Sequence, residues 1–371
     1  VTDSIKYKKV VIKLGTSTLT GGSKHLDRAR MLEIVRVVAR LISEGVQVIV
    51  VSSGAIATGR EYLDYPKLPN DLSSKQMLAA VGQSKLMETW SELFAIYRIH
   101  IGQLLITRAD LDDRVRYLNA RDTLFAMLEH KVVPIINEND ALSTAEIKVG
   151  DNDNLSALTA VLADADCVVL LTDQKGLYTA DPRTDKNAVL IKQVDALTPE
   201  IFALAGGSGT SLGTGGMLTK LKAAEIATAA GIDIAICSGE RPEGIYDVLA
   251  GTGEATYFKK SDHPVYARKS WLSSATMISG RLIVDDGAKE ALTRKGASLL
   301  PKGIVKVQGE FLRAETVAIA DTEGRIIARG LTRYSSEEIE LILGKKSEDI
   351  ETILGFTHGD VVIHRDDLAL A

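Results

Sequence analysis

Short β-branched apolar runs alternate with longer stretches of helical period over the first two-thirds of the 371-residue chain, and this alternation most constrains its fold. Lys9–Leu14 reads as a strand. Arg28–Ser43 sets Met31, Ile34, Val35, Val38 and Leu41 on one helical face, and residues 46–52 read as the next strand. Further strands are expected at 101–107, 132–137, 166–172 and 232–238, with helices at 74–97, 115–129, 154–163 and 217–230. Strands this rich in Val, Ile and Leu are buried on both faces, and strand–helix alternation builds mostly parallel sheets. The expectation is an α/β fold over residues 1–265, an open, mostly parallel sheet sandwiched by helices.

The pattern changes after a polar, uneven stretch taken as a linker at 266–278. From Ser279 the apolar segments are short and separated by glycine turns, at 281–284, 303–308, 316–320 and 326–331. That spacing predicts a second, small mixed-β barrel over 279–371. The two cysteines, Cys167 and Cys237, sit inside apolar runs, as small core residues do in a reducing compartment. No apolar run reaches the roughly 18 residues of a membrane span, and the first residues carry no signal-like apolar core, so a cytoplasmic protein is expected. A net charge of −5 argues against nucleic acid as the main partner. The small domain alone carries roughly thirteen Lys and Arg against sixteen Asp and Glu, which disfavours RNA there too.

Ligands of parallel α/β sheets bind beyond the carboxyl ends of the strands, so the residues that follow each strand carry the functional signal. They are Lys13-Leu14-Gly15-Thr16-Ser17, Ser52-Ser53-Gly54-Ala55, Asn137-Glu138-Asn139-Asp140 and Thr172-Asp173. Lys13 closes an apolar strand, where a cation needs an anionic partner. Gly15 and Gly54 let backbone approach an anion, and Thr16, Ser17 and Ser53 add donors. A second anion-binding feature is Thr214-Gly215-Gly216-Met217-Leu218-Thr219-Lys220, a Gly/Thr-rich loop entering a helix with a lysine in its first turn. Neither a Gly-x4-Gly-Lys-Ser/Thr loop nor a Gly-x-Gly-x-x-Gly loop after a strand occurs, which weighs against a Walker-type site and a nicotinamide site.

Acidic and amide residues cluster in 137–140 and in Asp151-Asn152-Asp153-Asn154. Asp140 and Asp151 suit an ammonium-bearing substrate, with Asn152 donating to its carboxylate. Asp153 could instead lie between Lys13 and Lys220 and hold both, and the sequence leaves that division open. No Ser, Cys or His triad fits. An acceptor carboxylate is already ionised at pH 7, so its phosphorylation needs no general base. What it needs is positive charge between two anions, which lysines, backbone N–H groups and Mg²⁺ supply.

Together, 11–17, 52–56, 137–140, 148–156, 171–178 and 213–217 resemble the glutamate 5-kinase family of the amino acid kinase superfamily, and 279–371 resembles its appended PUA domain. The resemblance implies transfer from ATP, with Mg²⁺ carried on the nucleotide, to the γ-carboxylate of L-glutamate, the first step of proline biosynthesis, with proline as a feedback inhibitor. It implies Lys13 and Lys220 at the transferring phosphoryl group with Asp153 orienting them. Ser53, Gly54, Asp140, Asp151 and Asn152 would hold glutamate. Lys13, Thr172, Asp173 and Thr214 through Lys220 would hold ATP. No resident metal site, a homo-oligomer, and a product handed to a glutamyl phosphate reductase complete the expectation.

Overall fold

A computed structural model describes residues 5–142, 152–205, 216–261 and 278–370. The chain divides into two compact units, Val1–Pro264 and Val265–Ala371. The first runs β1 (Lys9–Leu14), α1 (Thr16–Thr20), α2 (Arg28–Ser43), β2 (Gln47–Ser52), α3 (Ala55–Tyr62), α4 (Leu72–Ala95) and β3 (Ile101–Ile106). It continues through α5 (Arg108–Asp112), α6 (Arg114–Glu129), β4 (Val133–Glu138), α7 (Asn152–Ala163), β5 (Cys167–Thr172) and β6 (Gln193–Val194). It closes with α8 (Pro199–Ala205), α9 (Met217–Ala229), β7 (Asp233–Ser238), α10 (Gly244–Leu249) and β8 (Ala255–Phe258).

Eight strands form one sheet in the order β3-β4-β2-β1-β5-β7-β8-β6. All neighbouring pairs are parallel except β7 with β8. The succession passes from β1 to β2 on one side and to β5 on the other, so the strand order reverses at β1, where parallel α/β sheets open a crevice. The carboxyl ends lie level there: Leu14 pairs with Ser52 and with Leu171, and Thr172 pairs with Ser238.

The period of two along each strand separates two cores. Val10, Ile12 and Leu14 of β1 pack with Val48 and Val50 of β2 against Met31, Ile34 and Val38 of α2 and Leu86, Trp90 and Phe94 of α4. Val11, Ile49, Val51, Val168 and Leu170 pack on the other face against Leu155 and Ala160 of α7 and Leu221 and Ala224 of α9. Helices α3 and α4 meet main chain to main chain. A Cβ on Gly82 would lie 1.8 Å from the Ala55 carbonyl oxygen, and one on Gly59 would lie 2.0 Å from that of Leu78. Only glycine permits the crossing at either position.

The second unit comprises β9 (Gly280–Val284), α11 (Asp286–Lys295), β10 (Ile304–Gln308), β11 (Thr316–Ala320), β12 (Ile326–Leu331), α12 (Ser336–Ile342), α13 (Ile350–Leu354) and β13 (Leu368–Leu370). Its mixed sheet runs β10-β9-β11-β12-β13, with β9 and β11 parallel. Leu282, Val284, Val317 and Ile319 pack with Leu292 of α11 and Ile339 and Ile342 of α12. Buried Asp321 ties the β11–β12 turn, accepting from Lys289 Nζ at 2.8 Å, Arg325 Nε at 2.9 Å and the Arg325 backbone N–H at 3.0 Å. The Lys289 hydrogen bond, with those of Arg325, holds its carboxyl well below the usual range. Among the described residues no helix is long and apolar enough to cross a membrane.

Candidate active site

Strand alternation decides where Lys13 points. It shares the face of Val11, toward α7 and α9, and is 5% exposed. In the first turn of α7, Asp153 is fully buried. Lys13 Nζ lies 2.7 Å from Asp153 Oδ1. Lys220, in the first turn of α9 and 3% exposed, places its Nζ 3.1 Å from Asp153 Oδ2. Two lysines 207 positions apart thus meet on one carboxylate at the point where the strand order reverses. Thr219 Oγ1 donates to the same Oδ2 at 2.7 Å and also lies 2.8 Å from the Gly216 carbonyl oxygen.

The electrostatics follow from burial and charge. Burial pushes the Lys13 ammonium below its ordinary value; Asp153 opposes that shift and Lys220 adds to it. Burial also opposes ionisation of Asp153, but Lys13 and Lys220, with hydrogen bonds from Lys13 and Thr219, outweigh it and hold the carboxyl below the usual range. The trio by itself carries one surplus positive charge in a site shielded from water, a setting that favours an anion. Nearby, α9 opens at Gly216, an N-cap residue with no side chain of its own to offer the backbone N–H groups.

A second polar group forms on the other side of the β1–β2 carboxyl ends. Asn152, the first residue of α7, donates from Nδ2 to Ser53 Oγ at 2.8 Å and to Asn137 Oδ1 at 3.0 Å. Asn137 Oδ1 also accepts from the Glu138 backbone N–H at 2.9 Å, and its Nδ2 donates to Gln83 Oε1 at 2.8 Å. Ser52, which precedes Ser53, is fixed by Trp90 Nε1 of α4 at 3.1 Å. Gly54 adopts φ +106, and a Cβ there would lie 3.1 Å from Leu19 Cδ1, so the turn into α3 requires glycine. Half-buried Asp140 follows β4, and burial raises its carboxyl to about 6.

The Amino acid kinase family matches residues 8–238, and the PUA domain matches 280–354. Glutamate 5-kinase of Shewanella oneidensis is 55% identical over 366 residues, covering 99% of this chain and 98% of that one. The chain belongs to the glutamate 5-kinase family. Glutamate 5-kinase of Vibrio parahaemolyticus is likewise 55% identical, over 97% of this chain and 95% of its own. Among solved structures, the UMP kinase of Ureaplasma parvum aligns with a TM-score of 0.48 at 15% identity, over 69% of this chain and all of that one.

Of the residues singled out from sequence in this glutamate 5-kinase family member, the fold brings Lys13, Asp153, Thr219 and Lys220 into one cluster and Ser53 and Asn152 into another. Thr172 Oγ1 donates to Asp173 Oδ1 at 2.9 Å at the end of β5, and the Gly239 N–H donates to the Thr172 carbonyl oxygen at 2.8 Å. Met217 packs against the core beneath α9, whereas Leu218 is exposed. Asp151, Thr214 and Gly215, and the linker apart from Ile278, lie outside the described residues. Two participants escaped the sequence reading of individual roles: Asn137, named only as part of its motif, and Gln83. For Asn137 the signal was present, because an amide on the buried face of an apolar strand needs partners. For Gln83, one polar residue among many on α4, none was.

Proposed function

We propose that this chain transfers the γ-phosphoryl group of ATP to the γ-carboxylate of L-glutamate, giving γ-glutamyl phosphate and ADP. The observation that carries the reading is the convergence of Lys13 and Lys220 on Asp153 at the strand-order reversal. A carboxylate oxygen attacks the γ-phosphorus as the bond to the β,γ-bridging oxygen breaks, and that electron pair leaves with ADP. No proton need move, because the acceptor is ionised at neutral pH. The barrier is repulsion between two anions. The buried ammonium groups lower it by stabilising charge on the transferring group, and Asp153 keeps both aimed at one place.

The assignment of Ser53, Gly54, Asp140, Asp151 and Asn152 to glutamate is supported by the hydrogen bond that joins Ser53 to Asn152 and by the carboxylate of Asp140 nearby in sequence to Asn137. The carboxyl ends of β1 and β5 and the start of α9 support placing ATP along Lys13, Thr172, Asp173 and Thr214 through Lys220. Mg²⁺ belongs in this reading to the incoming nucleotide, where it neutralises phosphate charge. On the family resemblance alone we carry forward inhibition by proline, a homo-oligomer and a reductase as the consumer of the acyl phosphate; a cytoplasmic location is carried forward from the reading of the sequence.

Acyl phosphates react with hydroxylamine, so purified protein with ATP, Mg²⁺ and hydroxylamine should yield hydroxamate with glutamate. Aspartate and N-acetylglutamate should yield far less. Product from either of those with none from glutamate would overturn the reading.

A further inference from the structure

We propose that Gln83 is a positioning residue for the acceptor substrate, fixing through Asn137 which atom of the Asn152 amide is presented to it. The inference rests on the reading of this site as the glutamate site. It begins from a group that cannot reverse its role. The Glu138 backbone N–H can only donate, and it donates to Asn137 Oδ1 at 2.9 Å. The Asn137 amide is thereby held one way round, and its Nδ2 needs an acceptor, which Gln83 Oε1 supplies at 2.8 Å. Asn137 Oδ1 then takes a second bond, from Asn152 Nδ2 at 3.0 Å, and the other Asn152 amide proton goes to Ser53 Oγ at 2.8 Å.

Both Asn152 amide protons are now used, so the donation to the substrate carboxylate expected of Asn152 from the sequence falls to another group. Its Oδ1 is buried and has no hydrogen-bond partner among the described residues. Ser53 Oγ, having accepted, keeps its own proton to give. The chain of amides therefore ends in one acceptor and one donor side by side, the complement of an α-ammonium and an α-carboxylate on one carbon. Buried polar groups arranged in this way reject ligands that cannot pair them. Gln83 closes the far end of the chain, carried to the strand end by the close approach of α4 to α3 at Gly82. An apolar residue at 83 leaves Asn137 Nδ2 without its acceptor, so the Glu138 N–H alone anchors the Asn137 amide and the hold on Asn152 loosens. Glutamate at 83 keeps the acceptor, and lysine sets a donor against a donor.

Steady-state kinetics on the full chain test this. Gln83→Leu and Gln83→Lys should each raise KM for glutamate about tenfold while KM for ATP stays within about twofold, and Gln83→Glu should stay close to the parent for both substrates. Melting temperatures identify any variant whose fold has suffered, and Gln83→Lys, on a half-buried helix position, reads the effect without an apolar contact. Equal KM for glutamate in parent and Gln83→Leu overturns the inference alone, since a parent that phosphorylates glutamate still upholds the functional reading. A parallel rise for both substrates, or equal impairment by Leu and Glu, also overturns it.

Discussion

Asp153→Asn keeps the size of the side chain and an oxygen for Thr219 to bond, removes the charge between two buried lysines and sets an amide donor against Lys13. Their nitrogens lie 2.7 and 3.1 Å from its oxygens. At an effective dielectric of about 20, the pairs are worth roughly 6 and 5 kcal/mol of Coulomb energy before desolvation is counted. The desolvation of both lysines is not recovered when the carboxylate goes, so the variant keeps that cost without the charge that Asp153 set between them. Removing one partner of a buried pair costs about 3–5 kcal/mol after relaxation, and that smaller figure governs the outcome. For a unit the size of Val1–Pro264, 1 kcal/mol shifts the unfolding midpoint by about 2 °C, so a fall of about 6–10 °C is expected. ATP brings back negative charge at the place where it is missing. It should therefore raise the midpoint of the variant by more degrees than that of the parent, although turnover falls by about 100-fold or more. Thermal unfolding followed by tryptophan fluorescence, to which buried Trp90 contributes, with and without nucleotide, measures both shifts. An unchanged midpoint, or equal nucleotide shifts in the two proteins, would refute the reasoning.

Two further outcomes can be checked with the same assay of turnover. Burial raises the Asp140 carboxyl to about 6, and only its ionised form attracts an ammonium. KM for glutamate should accordingly rise as pH falls from 7 to 5, and Asp140→Asn should show a high KM with that dependence gone; a parent KM flat across this range sinks the assignment. Thr219 Oγ1 has one proton to share between Asp153 Oδ2 and the Gly216 carbonyl oxygen, so it steers Asp153. Thr219→Ala should lower kcat about tenfold with Thr219→Ser close to the parent, whereas a raised KM for ATP with kcat intact would return Thr219 to nucleotide binding, the role implied by family resemblance.

The sequence carried the strongly periodic elements nearly to the residue. Lys9–Leu14 and Arg28–Ser43 occur as expected, because uninterrupted apolar faces leave a segment one way to bury itself. Elements with little apolar surface of their own were not legible. The two-residue β6, the antiparallel β8, and helices α11, α12 and α13 of the second unit owe their places to tertiary neighbours. Helix α7 begins at Asn152, two residues earlier than its apolar pattern suggests, and those two residues bring Asn152 and Asp153 into the site. Lys13 stood out as a cation ending an apolar strand. Its partnership with Lys220 across 207 residues was expected only through the chemistry that would require it. Gln83 was invisible, since hydrogen bonds between side chains 54 positions apart leave no local pattern.

The contact of α3 with α4 through Gly59 and Gly82 has a bearing on how such a site could change. With no side chains interposed, there is no soft layer to absorb a shift of one helix against the other. The turn bearing Ser53 and Gly54 at the head of α3, and the glutamine that follows Gly82 on α4, behave as parts of one casting. Substitutions in the surrounding interior can alter thermal resistance while leaving the spacing between these groups untouched. A new acceptor specificity would have to come from the facing loops or from exchange of the amides themselves.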